Sequence, residues 1–298
     1  MPASDVDQYR SLIARSIIDT HDPYDDTAVS WPELDADTHA WLGNLPIWTE
    51  AVQAEQDTAV VVDAMARAEP DPLFKEAIAL QAYEEARHAR LVRSMTEHYG
   101  FPVERHPSAE PTRPVWAFLV SGWGECLDSF FAFGLFKVAE RLSFLPKELV
   151  GLFDRVMHEE ARHIVFFENW TRYRTLTKGL RDSTVLRALN ASAALVHIGN
   201  RALAGVQLAR QDTTGTNFIL SGAAHTVPGL TVKGFLDTCL DANDERLSAF
   251  DPQLARPRIV PSVVRLIRPR WTSSSRTPTS GVQLADAQPP ILLGRAPN

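Results

Sequence analysis

The sequence predicts an all-α protein, a four-helix bundle with additional C-terminal helices. Two observations support this fold class. Apolar residues recur at spacings of three and four along several long segments, which is the period of amphipathic helices. In addition, the pentapeptide Glu-Glu-Ala-Arg-His occurs at 84–88 and again at 159–163, and each copy ends in Glu-x-x-His. Two long helices with the same polar motif are expected to face each other in one bundle.

The predicted elements follow in order along the chain. Residues 1–45 are polar and Asp-rich and form an N-terminal extension. The four bundle helices are expected over about 46–68, 72–98, 115–144 and 147–177, with two further helices over 185–210 and 232–250. Asp71 is placed to cap the second helix, whose first residue is Pro72. Residues 46–250 thus form one helical domain, and the Pro-rich residues 251–298 form an extended or disordered tail.

The two helical hairpins look like an internal duplication. Adding 75 to four residue numbers of the first hairpin gives the same residue types in the second: Trp48, Glu50, Glu85 and His88 become Trp123, Glu125, Glu160 and His163. Two halves of this kind interlock to bury one core. The duplication therefore predicts that both hairpins contribute similar side chains to one site.

Composition argues against several classes of function. The net charge of -7 disfavours a nucleic-acid surface, which needs clustered Lys and Arg. Two cysteines, Cys126 and Cys239, supply neither a disulfide framework nor a thiolate zinc site, and we expect both to be small buried hydrophobic residues. No segment reaches the roughly 18 apolar residues of a membrane span, and the N-terminus lacks the apolar stretch of a secretory signal. We expect a cytoplasmic protein with neither a nucleic-acid nor a membrane partner.

The Glu-x-x-His units have the spacing of metal ligands. Residues three apart on a helix lie on one face, with Cβ atoms roughly 5–6 Å apart. Glu85 with His88, and Glu160 with His163, can therefore each direct one oxygen and one nitrogen at the same point. Two such helices can hold two metal ions if each of the other two bundle helices adds a carboxylate.

In the first bundle helix, Glu55 and Glu50 compete for that role. Antiparallel partners at the same height lie equally far from their turn, because each residue rises about 1.5 Å. With the turn near Pro70, Glu85 lies 15 residues after it and Glu55 lies 15 residues before it. Glu55 also lies on the apolar stripe of its helix, whereas the duplication favours Glu50. We predict Glu55 as the ligand, with Glu50 as the alternative.

In the third bundle helix, Glu125 and Asp128 lie one turn apart. The position that mirrors Glu160 across the turn is Phe130, which cannot bind a metal. Glu125 has the longer side chain and is supported by the duplication, so we predict it as the ligand and keep Asp128 as the alternative. His197 lies in an apolar segment and is expected to be a hydrogen-bonded core histidine, with a place in the site as the alternative.

Several carboxylates with one imidazole for each metal suit iron or manganese better than copper, and are too rich in oxygen for structural zinc. The motifs resemble those of the ferritin-like di-iron carboxylate superfamily, over about residues 46–177. Glu-x-Arg-His, found at 85–88 and 160–163, is similar to the motif of its oxygen-activating members, such as acyl-carrier desaturases and bacterial hydrocarbon monooxygenases. The resemblance implies a ferritin-like bundle, and it implies that Arg87 and Arg162 orient the ligands through hydrogen bonds.

We therefore expect a non-haem di-iron oxygenase or oxidase. Two iron ions, with manganese as an alternative, would activate O2 and oxidise a small organic substrate by hydroxylation, desaturation, oxidative cleavage or amine oxidation. Such a reaction also calls for an external electron donor. The alternatives are a ferroxidase or iron-binding protein, and a metal-free helical interaction module. The extra C-terminal helices either cap the bundle or form the face of a homodimer.

Overall fold

The computed structural model describes residues 3–45, 47–142, 145–210 and 231–267. All regular secondary structure within these ranges is helical. In chain order the helices are α1 (Ala3–Ile18), α2 (Ala36–Gly43), α3 (Trp48–Ala68), α4 (Pro72–Tyr99), α5 (Pro114–Leu142), α6 (Lys147–Thr177), α7 (Leu180–Arg210), α8 (Val232–Ser248) and α9 (Ile259–Ile267). The predicted all-α class is confirmed for these residues. None of their helices has both the length and the apolar composition needed to cross a bilayer.

Helices α3 to α6 pack side by side as a helical bundle. Helix α3 packs along α4 and also contacts α5, while α6 contacts both α5 and α4. Each of the four therefore touches two others, and their inner faces meet at a common centre. The bounds of these helices agree with the predicted ones to within two residues, although predicted ends at 46 and 144 lie outside the described residues.

Local chemistry fixes the α3–α4 hairpin. The Asp71 side chain accepts hydrogen bonds from the backbone N–H groups of Leu73 and Phe74, and so caps the start of α4 as predicted. At the other end, Gly100 has a φ of 73°, a left-handed conformation that suits glycine and ends the helix. These two caps set the register of α4 and thus the height of its polar motif in the bundle.

Helix α1 packs across α4 and α6 on one side of the bundle. Its apolar residues Val6, Tyr9, Ile13 and Ile17 follow a three-and-four spacing, and Ile13 and Ile17 are fully buried. They join the main core, which includes Phe74, Phe166 and Trp170. The region predicted as a polar extension therefore contains a helix that completes the core, because a narrow apolar stripe is enough to anchor an otherwise polar helix.

The structure differs from the predicted extended tail over residues 251–267. The Asn169 side chain of α6 donates to the carbonyl oxygen of Ala255 and accepts from its backbone N–H, which fixes the chain as it leaves α8. Helix α9 then buries Val260 and Val264 in a cluster with residues of α5 and α8. The prolines of this stretch shape a turn and a helix start rather than preventing helix formation. Residues 268–298 of the predicted tail lie outside the described residues.

Helix α5 is the central packing surface for the C-terminal helices, since α7 and α8 both lie against it. Close approach is possible because α5 carries glycine at two contact points. A Cβ atom on Gly134 would fall 2.9 Å from the Cα atom of Cys239 in α8, and one on Gly122 would overlap the ring of Phe167 in α6. Both predicted small buried cysteines are indeed buried.

Candidate metal centre

Six carboxylate and imidazole side chains meet at the centre of the bundle. Helix α3 supplies Glu55, α4 supplies Glu85 and His88, α5 supplies Glu125, and α6 supplies Glu160 and His163. These are the six residues predicted from the sequence. They form two overlapping groups of four, and within each group one ligand atom from every residue lies within 4.8 Å of the others. Such a cluster of buried Glu and His side chains can hold a metal ion.

The overlap between the two groups is the most informative feature of the geometry. One group is Glu55, Glu85, His88 and Glu160, and the other is Glu85, Glu125, Glu160 and His163. Glu85 and Glu160 belong to both groups, so each can bridge two adjacent metal positions. The remaining residues divide evenly, with one carboxylate and one imidazole at each position. A surface cluster of acidic residues has no reason to show this division.

The ring nitrogens of the two histidines have separate roles. His88 Nδ1 lies 3.1 Å from a carboxylate oxygen of Glu160 and 3.5 Å from one of Glu55. His163 Nδ1 lies 2.8 Å from Glu85 Oε1. Despite these short distances, both Nδ1 atoms lack a hydrogen bond of acceptable direction, as does Glu160 Oε1. Buried polar atoms without hydrogen bonds normally require an explanation, and a cation between them would supply it.

Each histidine is held on its far side by a glutamate from the opposite copy of the pentapeptide. His88 Nε2 lies 2.7 Å from Glu159, and His163 Nε2 lies 2.7 Å from Glu84. A carboxylate at Nε2 keeps the proton there and leaves the Nδ1 lone pair directed at the centre of the bundle. Glu84 and Glu159 therefore orient the candidate ligands. The sequence analysis missed this role, although their position beside Glu85 and Glu160 in a repeated motif was a signal for it.

The two motif arginines complete this supporting layer. Arg87 donates to Glu159 at 2.5 Å, and Arg162 donates to Glu84 at 2.8 Å. Both guanidinium groups are almost fully buried, so each neutralises a carboxylate where water cannot. The resemblance to di-iron oxygenases implied that these arginines orient ligands. In the structure they bind the glutamates that hold the histidines.

The segment that follows α1 attaches to this layer. His21 Nδ1 lies 2.5 Å from Glu84, and the Thr20 hydroxyl accepts from Arg162. Arg87 donates to the backbone carbonyl of Asp22 and stacks on the ring of Tyr24, with 3.8 Å between the guanidinium carbon and the ring centroid. The two halves therefore differ, because Glu84 contacts two histidines, His163 and His21, whereas Glu159 contacts one, His88, among the described residues. The N-terminal region was not predicted to reach the site.

Burial and mutual repulsion perturb the carboxylates. Burial raises the pKa of Glu55 to about 7, His88 opposes that rise, and the carboxylate of Glu160 adds to it. Burial also raises the pKa of Glu125 well above its usual range, with Glu85 and Glu160 adding to the rise. Burial would lower the pKa of His88, yet its contacts with Glu159, Glu160 and Glu55 raise it well above its ordinary value. In the metal-free protein, protons therefore take the place of metal ions in balancing charge.

Small polar groups hold in place both carboxylates that the two groups share, Glu85 and Glu160, and one that they do not share, Glu125. Gln81, one turn before Glu85, donates to both Glu85 and Glu125 at 3.4 and 3.3 Å. The hydroxyl of Ser129 donates to Glu160 at 3.4 Å. About 25% of the Glu55 side chain is exposed, so the centre can be reached from the α3 side.

The alternative ligands lie outside both groups. Glu50 is exposed on α3, and Asp128 is partly buried one turn beyond Glu125. His197 of α7 packs against Gly124 of α5, where an added Cβ atom would fall 2.9 Å from its ring. His197 is thus adjacent to the centre in the helix pair α5–α7, but its ring nitrogens do not join the six residues.

Comparison with known proteins gave no match to a family model, a curated protein or a solved structure.

Proposed function

We propose that the protein is a non-haem di-iron oxygenase or oxidase built on a ferritin-like four-helix bundle. The supporting observation is the pair of overlapping ligand groups that share Glu85 and Glu160. Each bundle helix contributes, and the set of four carboxylates and two histidines is the set used by carboxylate-bridged di-metal proteins. The orphaned Nδ1 atoms fit such a pair of metals, since both point into the cluster.

Iron is the proposed metal, with manganese as the alternative. The donor set contains four carboxylates and two imidazoles. Oxygen-rich sets of this kind are poor matches for structural zinc, which favours four thiolate or imidazole ligands, and for copper, which favours nitrogen and sulfur. Cys126 and Cys239 are buried and lie outside the groups, so no thiolate alters this preference.

Each of the six clustered residues has a role in this proposal. Glu55 with His88 would complete one metal position, and Glu125 with His163 would complete the other. Glu85 and Glu160, which belong to both groups, would bind at both positions. Ferrous iron bound by these residues would supply electrons to dioxygen, which is the oxidant for the substrate. Glu84 and Glu159 keep the histidine protons on Nε2, away from the metal positions. The surrounding apolar core limits the access of water, which would protect a reactive centre from side reactions.

Oxidation of a small organic molecule is proposed over simple iron oxidation for two reasons. The Glu-x-Arg-His motif is similar to that of oxygen-activating enzymes, and the arginines of both copies support the ligands through Glu84 and Glu159. In addition, the partial exposure of Glu55 leaves the centre open to small molecules from the α3 side. The proposal includes an external electron donor, as most such reactions need two electrons per O2.

Metal content tests the centre directly. Purified protein reconstituted with ferrous iron should hold about two irons per chain by elemental analysis. Glu85→Ala and Glu160→Ala should each lose most of both irons, because each removes a shared ligand. Glu50→Ala is the matched control, an exposed glutamate on α3 outside both groups, and should keep full occupancy. Absence of iron in the reconstituted wild type, or equal iron in all four proteins, would rule out the di-iron centre.

Oxygen uptake then separates the two iron-dependent functions. An oxygenase or oxidase should consume O2 in a burst that depends on an organic substrate and a reductant. A ferroxidase should consume O2 in proportion to added ferrous iron and remain indifferent to every organic compound. A broad panel of amines, alcohols and carboxylates is tested as substrates. If O2 uptake depends on added ferrous iron and on none of these compounds, the protein is a ferroxidase and the proposed activity is wrong.

A further inference from the structure

A second concave site lies outside the metal centre, between α6, α7 and the segment 252–259. It is an open cleft of about 710 Å³, within the roughly 300–1,000 Å³ typical of small-molecule sites. None of the six candidate metal ligands lines it. Trp123 of α5 and Glu168 of α6 form part of its wall, so the cleft is built on two helices that also carry the metal centre.

The cleft is strongly cationic in a chain of net charge -7. Four arginines line it, against a single carboxylate, that of Glu168. The arginines are Arg172, Arg187, Arg256 and Arg258. Burial raises the pKa of Glu168, while Arg172 and Arg258 oppose that rise. Even with Glu168 ionised, four guanidinium groups against one carboxylate leave the cleft with a net positive charge.

Three of the arginines are free to bind a ligand. Arg256 is already occupied, because it donates to four backbone carbonyl groups: those of Leu247, Phe250, Asp251 and Leu254. In contrast, Arg172, Arg187 and Arg258 make no ion pair anywhere in the part of the chain that the structure describes. All three side chains are exposed at the cleft. Guanidinium groups that outnumber the one nearby carboxylate and form no salt bridge with it favour an added anion, which they can bind in a bidentate manner.

Apolar side chains line the same cleft. Trp123 and Leu254 are buried in its wall. Leu176 and Ile259 are 55% and 47% exposed, respectively, although both are large apolar residues. Apolar surface next to a cationic rim is complementary to a molecule with an acidic head and a hydrocarbon body.

We propose that this cleft binds an organic anion with an apolar body, such as an aliphatic carboxylate. Arg172, Arg187 and Arg258 bind the acidic group, and the apolar wall that includes Trp123 and Leu254 receives the hydrocarbon part. The site is independent of the metal, because its residues and those of the metal centre are different. Binding can therefore be measured in metal-free protein, where a failure of the di-iron proposal has no effect.

Isothermal titration calorimetry with three probes tests both halves of the proposal. Octanoate carries an acidic head and a hydrocarbon body, 1-octanol carries only the body, and inorganic phosphate is only an anion. Octanoate should bind metal-free wild-type protein at least tenfold more tightly than either comparator. Equal binding of 1-octanol would overturn the role of the arginines, and equal binding of phosphate would overturn the role of the apolar wall.

Variants locate the binding in the cleft. The triple variant Arg172→Gln, Arg187→Gln and Arg258→Gln should bind octanoate at least tenfold more weakly. A control triple variant, Arg15→Gln, Arg105→Gln and Arg181→Gln, removes the same charge from exposed positions outside the cleft and should bind as the wild type does. Thermal unfolding of all three proteins checks that the fold is intact. Equal weakening in the two triple variants would show a nonspecific effect of net charge and overturn the assignment.

Discussion

At the scale of single residues, the crosswise hydrogen bonds explain why the pentapeptide is repeated. In each copy the second glutamate and the histidine belong to the central Glu and His cluster. The first glutamate reaches across to the histidine of the other copy, and the arginine fixes the first glutamate of the other copy. Each motif is thus completed by its counterpart, and a change in one copy should disturb ligands on both helices.

His21 gives a test of this supporting layer. His21→Ala removes the contact with Glu84 and leaves the six candidate ligands intact. We expect affinity for Co²⁺, followed by absorption spectroscopy, to fall by less than the roughly 10- to 100-fold caused by loss of a ligand's own hydrogen-bond partner, because His21 acts on His163 through Glu84. The control is His106→Ala, an exposed histidine that pairs only with Glu104 at the surface. If both variants bind Co²⁺ as the wild type does, Arg162 alone is enough to orient Glu84.

Glu125, a candidate metal ligand, is expected to destabilise the metal-free protein. Burial and neighbouring carboxylates raise its pKa well above the unfolded value, so folding is penalised once pH exceeds that unfolded value of about 4.5. The penalty is absent below that pH and is complete above the raised folded-state pKa. Glu125→Gln removes the penalty, and we expect it to increase the free energy of unfolding of the metal-free protein by about 1 kcal/mol or more at pH 8.

Urea unfolding of metal-free protein at pH 8 and pH 4 provides the measurement. The increase in the free energy of unfolding caused by Glu125→Gln should be present at pH 8. It should be small at pH 4, where the wild-type carboxyl group is largely protonated in the folded and the unfolded state. The same variant should bind less iron, since an amide is a weaker ligand than a carboxylate. A loss of stability at pH 8 would mean that the carboxylate makes stabilising contacts that outweigh its burial.

The sequence predicted which six residues form the central cluster. It did not predict the residues that hold the two histidines of the cluster in place. Equal distance from the turn pairs Glu55 with Glu85, and the two residues do lie in one candidate ligand group. In the second hairpin the same rule points to Phe130, five residues after Glu125, and the neighbouring Ser129 contacts Glu160. Glu125 nevertheless joins the cluster, so the rule failed there and the duplication identified the residue. The roles of Glu84 and His21 depend on how α4, α6 and the N-terminal segment are rotated against each other, which sequence spacing does not determine.

At the scale of elements, helix α1 shows why composition alone misleads. Its overall character is polar, yet four apolar residues at helical spacing are enough to anchor it over α4 and α6. The residues that follow it then reach the arginines and Glu84. A periodicity search within residues 1–45 would have revealed the helix, whereas its contact with the metal centre is a property of tertiary packing.

The α5–α8 contact yields a prediction at this scale. Gly134→Ala places a Cβ atom against Cys239, within 2.9 Å of its Cα atom, where the helix backbones cannot easily separate. We expect the free energy of unfolding to fall by about 1–3 kcal/mol, the usual cost of overpacking. Gly151→Ala is the matched control, because Gly151 lies in α6 with no atom near the new Cβ. The control should stabilise by about 0.5–1 kcal/mol through helix propensity.

Urea denaturation of the two glycine variants gives both values in one experiment. A decrease for Gly134→Ala with an increase for Gly151→Ala would establish that α8 packs directly on the α5 backbone. An increase in both would mean that α8 can move away at no cost, and the contact would then contribute little to stability.

At the scale of the whole molecule, the candidate metal centre draws at least one side chain from each of four helices. Its six residues come from positions between 55 and 163, so the bundle must be assembled before a complete site exists. Burial of the carboxylates, with repulsion among them as a smaller cause, opposes that assembly in the metal-free protein, as the raised pKa values of Glu55 and Glu125 indicate. Metal binding and folding are therefore expected to be coupled across the whole chain.

This coupling predicts a metal-dependent and pH-dependent melting temperature. A ligand at 100 times its Kd stabilises the folded state by about 2.7 kcal/mol, enough to raise the melting temperature by several degrees. Because ligand carboxylates must lose their protons, the increment should grow as pH rises through about 7, where Glu55 ionises. Calorimetry at pH 5.5 and 8, with ferrous iron or with chelator, measures this directly. Glu85→Ala should show no iron-dependent shift at either pH, whereas Glu50→Ala should respond as the wild type does. An iron-dependent shift that persists in Glu85→Ala would place the stabilising metal elsewhere on the chain, because both metal positions require that shared carboxylate.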